Sequence, residues 1–344
     1  MPNTEASTPK LWLKLPERWR KIRDESSSRG RTFYSLIGVA LLFLVWHILT
    51  MDWGGGVEAD TSRRIIKPIA MPSISETLSS FHSLWFERAL ARSAFWSLGR
   101  VFGGFLLAAS IAIPLGVISA CYWRINALMR PLSVLGRNIP VAALIPLTLI
   151  WFGLGEPQKV MFIFMASGAF IYFDTVNAVN GISDTFLDTA HTLGARVTPK
   201  KGLVDALIPS LGYALIVSSA MHFITPSMGA PGLATCAIIG FLFGFCIWYP
   251  ILSHQVTRKV MLPLALPDIV NSLRLLFGLA FGYIMLAEVI NARHGLGAII
   301  NISQRQGPRE HIYLCLVIIA LLAFTIDRGI HFAQTKLFPY RKDF

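Results

Sequence analysis

The chain has 344 residues, of which 54% are apolar and 15% charged, with a mean hydropathy of +0.56. Soluble domains carry about 25% charged residues, so this balance excludes a soluble globular protein and indicates an integral membrane protein. The net charge of +12 does not mark a nucleic-acid binder, because the Lys and Arg residues are spread over an N-terminal arm, short loops and the C-terminus, as positive-inside topology requires.

Lipid offers no hydrogen-bond partners, so spans are either helices or a closed barrel, and these apolar runs are too long and continuous for alternating barrel strands. The expected fold class is all-α, a polytopic transmembrane helical bundle. Residues 1–32 read as a cytoplasmic basic arm carrying Lys10, Lys14, Arg18, Arg20, Lys21, Arg23, Arg29 and Arg31, with no small-residue cleavage site after it. Residues 33–50, "FYSLIGVALLFLVWHILT", form a first anchor just long enough for a hydrocarbon core of about 30 Å. Residues 51–93 read as an external loop ending in an amphipathic piece, "ISETLSSFHSLWFERAL", suited to the membrane surface.

The main membrane domain is expected over 94–338. Its first span, Ala94 to Tyr122, returns the chain to the cytoplasm, where "YWRINALMRPLSVLGR" supplies Arg124, Arg130 and Arg137. A third span, "IPVAALIPLTLIWFGLG" from Ile139, leads outward, and a fourth, Lys159 to Val179, leads back. This topology puts the polar stretch "DTAHTLGARVTPKK", Asp188 to Lys201, in the cytoplasm. Two last spans, Ile269–Ile290 and Ile312–Phe332, complete six firm crossings and leave residues 339–344 as a cytoplasmic tail. Between Gly202 and Val260 two further helices are predicted around "SMGAP", spanning as a hairpin or re-entrant, with labelling at Met228 from outside as the discriminating test.

No Gly-rich loop ending in Lys-Ser or Lys-Thr occurs, so ATP binding is not expected of this chain. The histidines are scattered without metal-binding spacing, and no nucleophile elbow occurs, so neither a metal nor another cofactor is expected. Cys121, Cys236, Cys246 and Cys315 sit in apolar surroundings and read as packing residues. Ionisable residues near spans are the default functional candidates, here Arg100, Asp174, Arg274 and Glu288. Asp174 and Arg274 lie near predicted cytoplasmic ends and suit capping or snorkelling. Glu288, at an outer end, suits gating or packing against the nearby "GLG" turn. Arg100 has the sign to meet an anionic solute or to pair with a neighbour.

The polar stretch and its setting, "DTAHTLGA…LIP", resemble the loop of permease subunits of ATP-binding-cassette importers, in which an acidic residue, Ala and Gly precede an apolar-x-Leu-Pro ending. Asp188, Ala190 and Gly194 match it. In order and spacing, "SLGRVFGGFLLAASIAIPLGVISA" from Ser97, "RPLSVLGRNIPVAALIPLTLIWFGLGEPQK" from Arg130, "MLPLALPDIVNSLR" from Met261 and "AEVINARHGLGAII" from Ala287 are similar to permeases of nitrate, taurine and alkanesulfonate importers. Two departures stand out. The family's leading Glu and second Ala are Asp188 and Thr189, and the Leu-Pro ending has two candidates, "ALIP" at Ala206–Pro209 and "VMLP" at Val260–Pro263, which makes 202–260 an atypical insert.

The resemblance implies a type I ABC importer permease in a bacterial inner membrane, with both termini cytoplasmic. It implies a second permease copy in a homodimer, two ATPase subunits and an external solute-binding protein as partners, and a small anionic solute such as nitrate, taurine or a sulfonate. Residues 182–201 would be the coupling loop, with Phe186 and Leu187 forming an apolar ridge, Asp188, Ala190 and Ala195 completing the contact and Gly194 turning the chain. A secondary transporter and a membrane-embedded enzyme, both working without an ATPase, are the alternatives.

Overall fold

The apolar run from Phe33 lies in helix α1, Ser28–Thr50, most of whose large side chains are exposed, as suits a membrane anchor. The computed structural model describes residues 28–51, 65–66, 70–225 and 229–340. Most of the basic arm, the middle of the 51–93 segment, Met228 and residues 341–344 of the tail lie outside the described residues. Contacts divide the chain into Met1–Glu76 and Thr77–Phe344. Within the first unit, the Trp46 indole donates to the Pro72 carbonyl at 3.0 Å. Helix α2, Ile74–Ser79, opens on a capping box: the Ser73 amide donates to Glu76 Oε2 at 2.8 Å, and the Glu76 amide to Ser73 Oγ at 3.2 Å.

The second unit begins with a short helix, α3, Phe81–Phe86, and then the long α4, Leu90–Cys121, which starts before the expected Ala94. Gly104, Ala108, Ala112 and Gly116 recur every four residues on one face of α4. That seam lets α7, Glu156–Asn180, approach closely, because a Cβ on Gly104 would stand 2.5 Å from the Val160 carbonyl and one on Gly116 2.8 Å from Thr175. Around it the main core collects Phe105 of α4, Phe162 and Ile171 of α7, and Phe281 and Ile284 of α11, Leu262–Asn291. Two more helices complete that side, α12 at Leu296–Gln306 and α13 at Arg309–Leu337.

The expected third span is corrected. Trp123–Asn138, read as a loop, is helix α5, and the apolar run after it is a 3-10 turn followed by α6, Leu144–Phe152, bent 92° from α5. Nine residues rise only about 14 Å, so α6 cannot cross the membrane alone; with α5 it forms a bent pair that has the length and composition of either a broken span or a re-entrant turn. Pro140 explains the break, since it lacks an N–H and pushes Ile139 to extended geometry, observed at φ −70 and ψ 126.

The ambiguous region is an antiparallel helix hairpin, α9 at Pro199–Ile224 and α10 at Ala230–Ser253, each long and apolar enough to cross a membrane. The hairpin runs from Pro199 to Ser253, in the region expected at about 202–260. Gly240 and Gly244 of α10 admit Val217 and the Tyr213 ring of α9. Among the described residues seven helices pass as spans, eight with the broken pair, so the bundle is all-α as expected. Cys246 is exposed, while Cys315 is buried in the core.

Candidate functional site

Between α7 and the hairpin the polar stretch folds into α8, Asp184–Thr192. Ser183 caps it, accepting from the Thr185 amide at 3.4 Å, and Asp184 in the first turn suits the helix dipole. Gly194, at φ +83, stops it: the Ala195 amide donates to the Ala190 carbonyl and the Gly194 amide to the His191 carbonyl, both at 3.0 Å, a Schellman closure. The expected pairing of Phe186 with Leu187 is corrected, because successive helical residues diverge by about 100°. Phe186 and Leu193, seven apart on one face, are 53% and 82% exposed, whereas Leu187 is half-buried and Ala190 buried. Asp188 is exposed and Ala195 half-buried.

After Gly194 the chain pairs with a distant segment. Val197 and His254 form an antiparallel bridge, with the Thr198 amide donating to the Ser253 carbonyl at 2.8 Å and the Gln255 amide to the Arg196 carbonyl at 3.4 Å. The two polar stretches that flank the hairpin in sequence therefore lie side by side at its base. Beyond His254 runs a π-helical turn, Thr257–Met261, leading into α11; α8 lies against this turn, and Arg258 within it pairs with Asp205 of α9. Tyr122, which ends α4, reaches His254 Nδ1 at 3.3 Å.

At the opposite end of α4 lies a buried charge network. Arg100, 4% exposed, grips Glu156 of α7 with Nε at 2.5 Å and Nη2 at 2.8 Å, while Nη1 donates to Glu288 of α11 and to the His294 carbonyl, both at 2.6 Å. Glu288, with no exposure at all, also accepts from Ser97 Oγ at 2.8 Å and from the Gly297 amide at 3.0 Å. Lys159 reaches Glu156 at 3.1 Å. Two cations and two carboxylates balance, so the cluster is neutral as a unit. The Gly295–Gly297 turn wraps the Glu288 carboxylate so tightly that a Cβ on Gly295, at φ +139, would stand 2.5 Å from it. Beside it opens a cleft of about 510 Å³ lined by Arg92, Phe95, Trp96, Arg100, Glu156 and Phe223.

Of the four predicted charges only Arg100 and Glu288 meet. Asp174 stands near Ser272 and the Arg137 guanidinium, and Arg137 packs 3.6 Å from the centre of the Phe173 ring. Arg274 ties α11 to α13 through Asp327 at 3.1 Å and His331 Nδ1 at 2.9 Å. Ser97, Glu156 and Lys159 also belong to the network though the sequence did not single them out; the signal for Glu156 and Lys159 was the "GLGEPQK" turn, with Lys three residues after Glu on one helix face.

A multi-span helical bundle with a helical elbow between two spans is an architecture that suits a transport permease. Residues 112–230 and 252–335 match the model of the binding-protein-dependent transport system inner membrane component, and the chain belongs to that family of ABC importer permeases. It is a multi-pass inner-membrane protein. The residues between the two matched stretches fall within α10, while α9 lies inside the first matched stretch. The chain is 25% identical to a candidate ABC transporter permease protein of Methanocaldococcus jannaschii over 88% of this chain and 90% of that one. It is 22% identical to the taurine transport system permease protein of Escherichia coli over 95% and 94% respectively. In fold it is similar to the inward-facing MetNI methionine ABC transporter, with a TM-score of 0.52 at 18% identity over 75% of this chain and 98% of that one.

Proposed function

We propose that the chain is the translocation subunit of an ATP-driven importer for a small anionic solute, such as nitrate, taurine or a sulfonate. One observation carries the reading: α8 projects between two spans and exposes Phe186 and Leu193, with Gly194 fixing its exit. Two exposed apolar side chains on an otherwise polar surface suit the groove of a soluble motor. Phe186, Leu187, Asp188, Ala190, Gly194 and Ala195 then form the coupling elbow, with the outward contact made by Phe186 and Leu193 while Leu187 and Ala190 anchor the elbow to the bundle.

Two ATPase subunits dock on the elbows of two permease copies, and a solute-binding protein delivers solute at the far end. Both termini and the elbow are cytoplasmic in this arrangement. The taurine relative supports the solute class. The neutral Arg100 cluster supports a closing rather than an anion-binding role for Arg100 and Glu288, because the positive charge is already matched. Asp174 and Arg274 hold neighbouring helices in register along the path.

Gly194→Val tests the coupling role. A β-branched side chain at φ +83 costs about 1–2 kcal/mol and re-aims the elbow exit. The expected result is normal membrane insertion with lost ATPase co-purification and lost uptake in reconstituted vesicles; parental uptake would contradict the assignment.

A further inference from the structure

The α9–α10 hairpin leaves and rejoins the rest of the chain beside the elbow. Its base is closed by the Val197–His254 bridge, by Thr198 Oγ1 donating to the Ser253 carbonyl at 3.3 Å, and by Gln255 Oε1 accepting from the Arg196 amide at 3.2 Å. Gly202 of α9 sits so close to Ser253 that a Cβ would stand 2.5 Å from its Cα. Across the same joint Arg258 of the π-turn pairs with Asp205 of α9, and α8 rests on that turn. Farther along, the Tyr213 hydroxyl donates to the Ser110 carbonyl of α4, and Phe223 near the tip lines the cleft beside Arg100. A passive, lipid-facing hairpin would need none of these ties. A π-turn is a locally weakened stretch of helix that often marks functional sites, and here it lies where elbow, hairpin and α11 meet.

We propose that the α9–α10 hairpin is a positioning element of the elbow: the backbone bridge and the Arg258–Asp205 pair bind the two so that they move as one body. This rests on the coupling role proposed for the elbow. Any displacement of the elbow is then carried up α9 to the Phe223 end of the cleft.

The test compares Asp205→Arg, Arg258→Asp and the double exchange D205R/R258D. In the permease alone, each single variant is expected to speed hydrogen exchange of the elbow amides at 195–198 by roughly two- to fivefold, as loss of a half-exposed ion pair allows, and the double exchange to restore the parental rate. In the complex reconstituted with its ATPase and binding protein, the single variants are expected to lower solute uptake per ATP hydrolysed, and the double exchange to recover it. Parental exchange rates in the single variants, no recovery in the double exchange, or faster exchange with uptake per ATP unchanged would each overturn the proposal. Should no ATPase associate with the parent protein, the coupling assignment fails, and the exchange rates still decide whether hairpin and elbow are joined.

Discussion

Glu288 is sealed from solvent, and an isolated carboxylate there would cost several kcal/mol. Arg100, Ser97 and the Gly297 amide offset that cost together, which makes each partner hard to remove alone. Glu288→Ala leaves Arg100 half-matched in the interior and is expected to destabilise by about 3–5 kcal/mol, read as a lowered thermal midpoint in detergent; an unchanged midpoint would show that the cluster does not hold the bundle. Arg100 and Glu288 were each legible in the sequence, because an ionisable residue within an apolar run is conspicuous. Their partnership was not, since the residues lie 188 apart and a sequence does not give the rotation of one helix against another. Glu156 was hidden for a different reason: at the first turn of a helix an acidic residue looks like an ordinary dipole partner.

Among the elements, the α4–α7 contact depends on small residues. Gly104→Leu drives a side chain into the Val160 carbonyl and Ile163, and the expected outcome is poor accumulation in the membrane, measured by tagged-protein yield against an outward-facing control, Gly99→Leu, which has open space. Helix α8 was readable from its ends, because Ser183 and Gly194 are the chemistry that starts and stops a helix. The α5–α6 break was only half readable. Pro140 announces an interruption, but an apolar count cannot tell a straight span from a bent one, and Arg124, Arg130 and Arg137 made α5 look like a loop. Nothing in the composition of Thr257–Met261 distinguishes a π-turn from an ordinary one.

For the whole molecule, the proposed orientation separates two sets of positions. Cysteine introduced at Leu193 is expected to react with a membrane-impermeant maleimide only from the cytoplasmic side, and cysteine at Arg92 only from outside; the reverse pattern would turn the bundle over and remove the elbow from any ATPase. The bridge at Val197 and His254 also bears on how the chain is made. During synthesis α9 and α10 emerge in succession and can pair locally, before α11 exists. Once they do, the chain after the hairpin is brought back beside the chain before it. The remaining spans can then seek α7 across a short gap, and the residues between Val197 and His254 impose almost no loop-closure penalty on the assembly of the rest of the bundle.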